Sequence, residues 1–215
     1  MENIVIEKKK VFTVIPEKFD DKSIYGEKIV KKKNLRLRTW NPYRSKLSAA
    51  LILGLRIHIK ENSEVLYLGA ATGTTVSHLS DILYEGRIYA VEISPFSMKK
   101  LLELCEKRNN IFPILEDANH PERYQHIVPE VDLVYQDISQ RNQVDIFVKN
   151  CDKFLKGDGE GIIMVKSRSI DVSAHPREIY RRVEKDLEEK GYKVKEVKEL
   201  DPYAKDHACI VIRRS

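Results

Sequence analysis

Apolar and polar residues alternate along the start of the chain and then change rhythm. "NIVIE", "VFTVIP", "SIYGEKIV" and "NLRLRTW" are short apolar stretches, several with period two, and they predict four short strands. Two lysine runs, Lys8 to Lys10 and Lys31 to Lys33, fall between them. From Asn41 onward strand-like and helix-like stretches alternate. "SKLSAALILGLRI" predicts a helix opened by Ser45, "EVLYLG" a strand and "TTVSHLSDIL" a helix. "GRIYAVEIS" is a strand, and "PFSMKKLLELCEKR" a helix with Pro95 in its first turn. "IFPILEDA" and "VDLVYQDIS" are strands, "RNQVDIFVKNCDKFL" a helix and "GEGIIMVKS" a strand. "HPREIYRRVEKDLEEKG" predicts a helix started by Pro176 and stopped by Gly191. "YKVKEVKEL" and "HACIVIRR" close the chain as strands with no helix between them, so one of the pair runs antiparallel. The whole reads as an α/β fold: a largely parallel seven-stranded sheet with helices on both faces. A small antiparallel β domain, residues 1–42, precedes the larger domain, residues 43–215.

Composition narrows the function classes only slightly. The chain has 215 residues, 42% of them hydrophobic, which is enough for a core. Lys and Arg (38) outnumber Asp and Glu (33), and a net charge of +5 admits an anionic partner without demanding one. The lysine runs fit either an RNA contact or solvated turns and edge-strand protection. Cys105, Cys151 and Cys209 are odd in number and far apart, with no CxxC pair. They read as inert thiols rather than a zinc site or a disulfide framework. No stretch has the length of a membrane span, and "MENIVIEKKK" is not a signal peptide. The expected setting is the cytoplasm, with no membrane partner.

In a sheet of this kind ligands sit beyond the carboxyl ends of the strands, near the point where strand order reverses. Those ends read Gly69 to Thr75, then Glu92, Asp117, Asp137 and Lys166. The turn "GAATGTT" lacks the lysine of a triphosphate-binding loop. Ala71 stands where a dinucleotide-binding loop has its second glycine. Such a turn suits a nucleoside without phosphates. Glu92 follows Gly69 at close to the roughly 20-residue spacing of a ribose-binding acid. Asp117, after the next strand, is placed to accept from an adenine amino group. S-adenosyl-L-methionine meets these demands: ribose, adenine, no phosphate and a methionyl tail that lies over small residues such as Gly69 and Ala70. Lys46, Lys166 and His207 join Asp137 as a further candidate set, although each alone is more often structural.

The stretches "WNPYRSKLSAAL", "VLYLGAATGTTVSHLSDI", "GRIYAVEISPFS", "ILEDANHPERY", "VDLVYQDISQ" and "DPYAKDHA" together resemble fibrillarin in its archaeal form, which lacks the Gly/Arg-rich tail. The resemblance covers nearly the whole chain. It implies a class I, Rossmann-like methyltransferase that methylates the ribose 2′-hydroxyl of rRNA and tRNA. It implies work with box C/D guide RNA, a Nop-type scaffold protein and a kink-turn-binding protein of ribosomal type. By the same resemblance the catalytic set is Lys46, Asp137, Lys166 and His207. The cofactor contacts are Thr74, Thr75, Glu92, Ile93, Asp117, Ala118 and the segment Asp137, Ile138, Ser139 and Gln140. Thr72 and Ile93 depart mildly from the family pattern, where serine and a longer aromatic residue are common.

The chemistry is consistent with that set. A ribose hydroxyl is a poor nucleophile, so its proton must leave as the methyl transfers. Lys166 is the candidate acceptor. Burial and a neighbouring cation such as Lys46 favour its neutral amine. Asp137 either opposes this or holds Lys166 in place, and both readings stay open. The methyl donor carries its own leaving group, so no metal is called for. Two alternatives also stay open: a methyltransferase for small molecules or proteins, and a non-catalytic RNA-binding subunit of the same fold.

Overall fold

The computed structural model describes residues 3–20 and 22–215. Met1 and Glu2, at the start of the expected N-terminal domain, and Asp21 lie outside the described residues. β1 (Ile4–Glu7), β2 (Lys10–Val14), β3 (Ile29–Lys32) and β4 (Leu35–Trp40) form an antiparallel sheet in the order β1-β2-β4-β3. The lysine runs straddle its hairpin turns, with Lys10 beginning β2 and Lys31 and Lys32 ending β3. Lys8 and Lys9 have φ angles of 48° and 60° between β1 and β2, and Lys33 has φ 54° between β3 and β4. Left-handed backbone of this kind lets a tight turn match the twist of its strands. The third expected strand is shorter than its pattern, because residues 23–28 wrap around a carboxylate instead of pairing. Glu27 accepts the backbone N–H groups of Ile24 and Tyr25 at 3.0 and 2.7 Å and pairs with Arg38.

The larger sheet follows the expected alternation. Its elements are α1 (Lys46–Ile52), β5 (Glu64–Leu68), α2 (Thr74–Ile82), β6 (Arg87–Glu92), α3 (Pro95–Cys105) and β7 (Ile111–Leu115). There follow β8 (Val131–Gln136), α4 (Gln143–Phe154), β9 (Leu155–Lys166), a short α5 (Ser167–Ile170), α6 (Pro176–Glu189), β10 (Tyr192–Glu199) and β11 (His207–Arg214). The strand order is β10-β11-β9-β8-β5-β6-β7. β5 through β9 pair in parallel, and β11 is the antiparallel strand, against both β9 and β10. The order reverses between β5 and β8, so a cleft opens at their carboxyl ends. α1 stops five residues before the expected Ile57, at Ile52. Gly54 has φ 94°, its N–H reaches the Leu51 carbonyl, and the Leu55 N–H reaches that of Ala50. This pair of bonds closes a helix end on a left-handed glycine.

Apolar side chains fill both faces of the large sheet. Leu47, Leu51, Leu79 and Leu101 pack on one face together with Val11 and Trp40 of the small sheet. Tyr124, Phe147, Ile179 and Leu187 pack on the other. Cys151 and Cys209 are buried here, while Cys105 is partly buried and its thiol is pushed up to about 11 by that burial.

The small sheet is fastened to α2 by buried charge as well as apolar contact. Arg38 of β4 and Asp81 of α2 are both fully buried and ion-paired at 3.0 Å, and Arg108 joins the other Asp81 oxygen at 3.3 Å. Thr13 of β2 donates to Asp81 at 2.7 Å and meets His78 Nδ1 at 3.0 Å. The His78 ring stacks on Trp40 with centroids 4.8 Å apart. Burial pushes the Asp81 carboxyl up, while the two guanidiniums pull it down. His78 is held well below its ordinary 6.5, first by burial and then by Arg38 and Arg108, so it is neutral in the folded chain.

A neutral, buried histidine makes folding pH-dependent. Below about pH 6.5 the unfolded chain gains a proton that folded His78 refuses, so stability present above that pH is lost as pH falls. The expected slope is about 1.4 kcal/mol per pH unit for one such histidine. Denaturation midpoints measured between pH 7 and pH 5 check this, and His78→Phe should lessen the slope by one histidine's share.

Candidate active site

The turn after β5 is built by backbone geometry that few side chains tolerate. Gly69 has φ 80°, and a Cβ at this position would lie 2.5 Å from the Asp137 carbonyl oxygen. The N–H groups of Gly69 and Ala70 both reach the Val91 carbonyl at 3.0 Å. Ala71 is left-handed at φ 49°, and Gly73, at φ 90°, is the residue from which α2 starts. The buried Glu92 carboxylate secures this turn. One oxygen accepts the Ala71 N–H at 2.7 Å and the other the Ser94 N–H at 2.8 Å.

A cleft lies beside this turn. It is lined by the candidate cofactor residues Gly69, Glu92, Ile93, Asp117, Ala118, Asp137, Ile138, Ser139 and Gln140. Ala71, which replaces the second glycine of a dinucleotide loop, also lines it, as do Val91 and Glu116, which the sequence pattern did not single out. Ala70, Thr74 and Thr75 stand apart from this lining. Thr75 is buried, and its hydroxyl lies 2.9 Å from that of Ser45, the N-cap of α1. It therefore ties the start of α2 to the start of α1. Asp117 accepts the backbone N–H and side-chain amide of Asn119, both at 2.9 Å. Burial pushes the Asp117 carboxyl up, but these bonds, with His120 and Arg123 nearby, leave it below its ordinary value. The lining combines small residues with the four carboxylates of Glu92, Glu116, Asp117 and Asp137, and the turn presents no lysine to a phosphate.

The second candidate set converges at the same strand ends. Lys46 opens α1, and its Nζ meets both oxygens of Asp137 at 2.7 and 2.9 Å. Asp137 therefore pairs with Lys46 and makes no hydrogen bond to Lys166. Lys166 ends β9 and is the cross-strand partner of His207, which begins β11. Among the described residues Lys166 Nζ has no hydrogen-bond or ion-pair partner. His207 Nδ1 lies 2.7 Å from the Lys205 carbonyl. A carbonyl only accepts, so Nδ1 carries the proton and Nε2 is left as an acceptor. Burial lowers the His207 pKa below 6.5, and Lys46 and Lys166 add to this, while the Lys205 carbonyl and Asp137 oppose it. Beneath the set, Tyr67 and Tyr135 pack with ring centroids 4.5 Å apart.

Sequence reasoning missed Gln143, which is buried at the start of α4 and bonds both the N–H and the carbonyl of Lys166. A glutamine opening a helix carries no pattern that marks it. Among the described residues no three or more His, Cys, Asp or Glu side chains gather to hold a metal ion.

Known proteins are similar to this chain over nearly its whole length. The fibrillarin family model matches residues 2–215. A fibrillarin-like rRNA/tRNA 2′-O-methyltransferase of Methanothermobacter thermautotrophicus is 44% identical over 100% of this chain and 95% of its own. Fibrillarin solved in a fibrillarin/Nop5p complex superposes with a TM-score of 0.91 at 46% identity, covering 99% of this chain and 98% of the other. Aeropyrum pernix fibrillarin, solved with natively bound S-adenosyl-L-methionine, gives a TM-score of 0.85 at 43% identity over 97% and 92%.

The contact between Gly69 and the Asp137 backbone generates a direct test. Gly69→Ala forces a left-handed alanine against a carbonyl oxygen and should cost about 1–3 kcal/mol of stability from backbone strain alone. Chemical denaturation of the variant measures it, and a midpoint equal to that of the parent chain would contradict the geometry.

Proposed function

The chain belongs to the fibrillarin family, and from that premise we propose that it transfers a methyl group from S-adenosyl-L-methionine to the ribose 2′-hydroxyl of rRNA and tRNA nucleotides. The observation that carries this reading is the meeting of the Lys46–Asp137 ion pair, Lys166 and His207 beside a cleft lined by acids and small residues, without a phosphate-binding lysine. When bound, S-adenosyl-L-methionine supplies a methyl group already joined to a good leaving group. The cleft fits that cofactor by its donor set. Glu92 is anchored by two backbone N–H groups and keeps further lone pairs for the ribose hydroxyls. Asp117 is held by Asn119 for the adenine amino group. Gly69 leaves room beside the Asp137 backbone.

Lys166 is the proton acceptor in this reading. Among the described residues its amine meets no carboxylate, and Asp137 pairs with Lys46. Neutral His207, with its Nε2 free to accept, adds no positive charge to a site that must receive a proton. RNA as acceptor is supported by the rim. Tyr43 is 68% exposed and meets Tyr203 edge-on at 5.2 Å. These two tyrosines sit on the segments that lead into Lys46 and His207, where an exposed ring offers a face to a nucleobase. The net charge of +5 is low for a chain that holds RNA alone. The reading therefore includes a Nop-type scaffold protein. Its finer part is a box C/D guide RNA that selects the target by base pairing, together with a kink-turn-binding protein of ribosomal type. The expected setting is the cytoplasm of an archaeal cell, which three unpaired cysteines support.

Two tests separate cofactor from chemistry. Glu92→Gln keeps the side-chain size and one acceptor but removes the charge. Losing a charged acceptor should weaken S-adenosyl-L-methionine binding by about 1.5–3 kcal/mol, read by titration calorimetry. Unchanged affinity would remove Glu92 from the cofactor site. Lys166→Arg tests the proton. Guanidinium stays protonated, so single-turnover methyl transfer in the assembled complex should fall about 10²–10⁴-fold, with cofactor affinity retained. Near-normal turnover would reassign Lys166 to guiding the RNA backbone.

A further inference from the structure

β8 ends at Gln136, but β9 runs on to Lys166, so the last residues of β9 have no strand beside them on that edge. A side chain takes the strand's place. Gln143 Oε1 accepts the Lys166 backbone N–H at 3.1 Å, and Gln143 Nε2 donates to the Lys166 carbonyl at 3.3 Å. A primary amide can donate and accept as a peptide unit does. Those two bonds alone would be a structural patch. A third is not needed for that purpose: Nε2 also donates to the Gln140 carbonyl at 2.9 Å. Gln140 lines the nucleoside cleft, and its side chain accepts from Asn119 Nδ2 at 3.2 Å. The same Nδ2 donates to Asp117 at 2.9 Å. One row of hydrogen bonds thus runs from Asp117 through Asn119, Gln140 and Gln143 to Lys166. Gln136 Nε2 fixes the near end by donating to the Gln143 carbonyl at 2.6 Å.

We propose that Gln143 is a positioning residue that couples occupancy of the nucleoside cleft to the placement of Lys166. This rests on the methyl-transfer reading above. A ligand that engages Asp117 and the Asp137–Gln140 segment bears on Gln140, and Gln143 passes the displacement to the backbone that carries the Lys166 amine. Lys166 then takes its working position only in a chain that holds a methyl donor. Gln143 is fully buried, so its amide has no water to exchange partners with and the row is kept intact.

The test follows the Lys166 backbone amide by NMR while S-adenosylhomocysteine is added to the isolated chain. The parent chain should show a ligand-dependent shift at Lys166. Gln143→Met preserves volume and removes all three side-chain bonds. It should bind S-adenosylhomocysteine within about threefold of the parent yet lose the Lys166 shift. Its single-turnover methyl transfer at saturating cofactor, in the assembled complex, should fall about 10–100-fold, the scale of a misplaced reacting group. The defect should appear in the rate and not in the cofactor KM. Asn119→Ala breaks the row at its partly exposed end without touching Gln143 or Lys166, and it decides the matter if the buried variant does not fold. It should diminish the Lys166 shift. A Lys166 shift of parental size in Asn119→Ala, or parental turnover by Gln143→Met, would overturn the coupling. A parent complex that does not methylate RNA would overturn the methyl-transfer reading instead, and the NMR response would still decide whether the cleft and Lys166 are linked.

Discussion

Everything at the strand ends depends on the closeness of two backbone segments, at Gly69 and at Asp137. The Asp137 N–H reaches the Leu68 carbonyl at 2.9 Å, and its carbonyl oxygen occupies the space where a side chain at position 69 would begin. Parallel pairing of β5 with β8 brings them together, and the absence of a Cβ lets them stay there. That single approach sets two things at once. It fixes the floor of the nucleoside cleft, and it aims the Asp137 carboxylate at Lys46. The candidate cofactor cleft and the candidate catalytic set are therefore two sides of one backbone contact. A fault in it would disturb both, whereas a change at Glu92 or Lys166 touches only one.

The small N-terminal sheet has a stake in this geometry through α2. Asp81 and Arg38 are fully buried, and moving such ions out of water costs more than their mutual attraction alone recovers. The remaining valences are what make the arrangement tenable. Arg108, Thr13, Ser77 and Glu27 take up other polar atoms of the pair. An apolar contact would bind the sheet to α2 with some freedom to slide, but a set of directed bonds permits one register. α2 starts at the glycine turn of the cleft, and α1 is tied to it by Ser45 and Thr75. The position of Lys46 is thus set partly from the far side of the small sheet.

Periodicity and turn chemistry made the large sheet legible in the sequence. Each of its strands and long helices lies where the apolar spacing places it, and the acids at the strand ends fall in the cleft as their order along the chain implies. The misses have local causes. Gly54 sits within an apolar run that continues past it, so spacing alone carries the helix to Ile57, while the backbone closes it at Ile52. Ser23 to Val30 reads like a strand, but the Glu27 carboxylate accepts the backbone N–H groups of Ile24 and Tyr25, so those groups are not offered to a partner strand. Thr75 lies in the motif, and its hydroxyl meets that of Ser45 at 2.9 Å, a tie between helices that the motif does not announce. Gln143 was invisible because its role comes from which backbone it meets, and no residue near it in sequence reveals that Lys166 is the one.

The separation of duties among the four charged or titratable residues follows from where the bonds are. Asp137 is engaged by Lys46 through both oxygens, and it makes no hydrogen bond to Lys166. Holding falls instead to backbone bonds on the two edges of β9, one side supplied by β11 and the other by Gln143. Among the described residues the Lys166 side chain has no hydrogen bond, while its backbone is clamped. That is the condition a proton acceptor needs: a fixed base of attachment and an amine not already engaged. His207 completes the arrangement by staying neutral. Its Nδ1 proton is committed to the Lys205 carbonyl, and burial beside two lysines disfavours a second proton. In the methyl-transfer reading, a substrate hydroxyl at this site would thus face one committed ion pair, a lysine whose side chain has no hydrogen bond among the described residues, and a neutral histidine whose Nε2 is left as an acceptor.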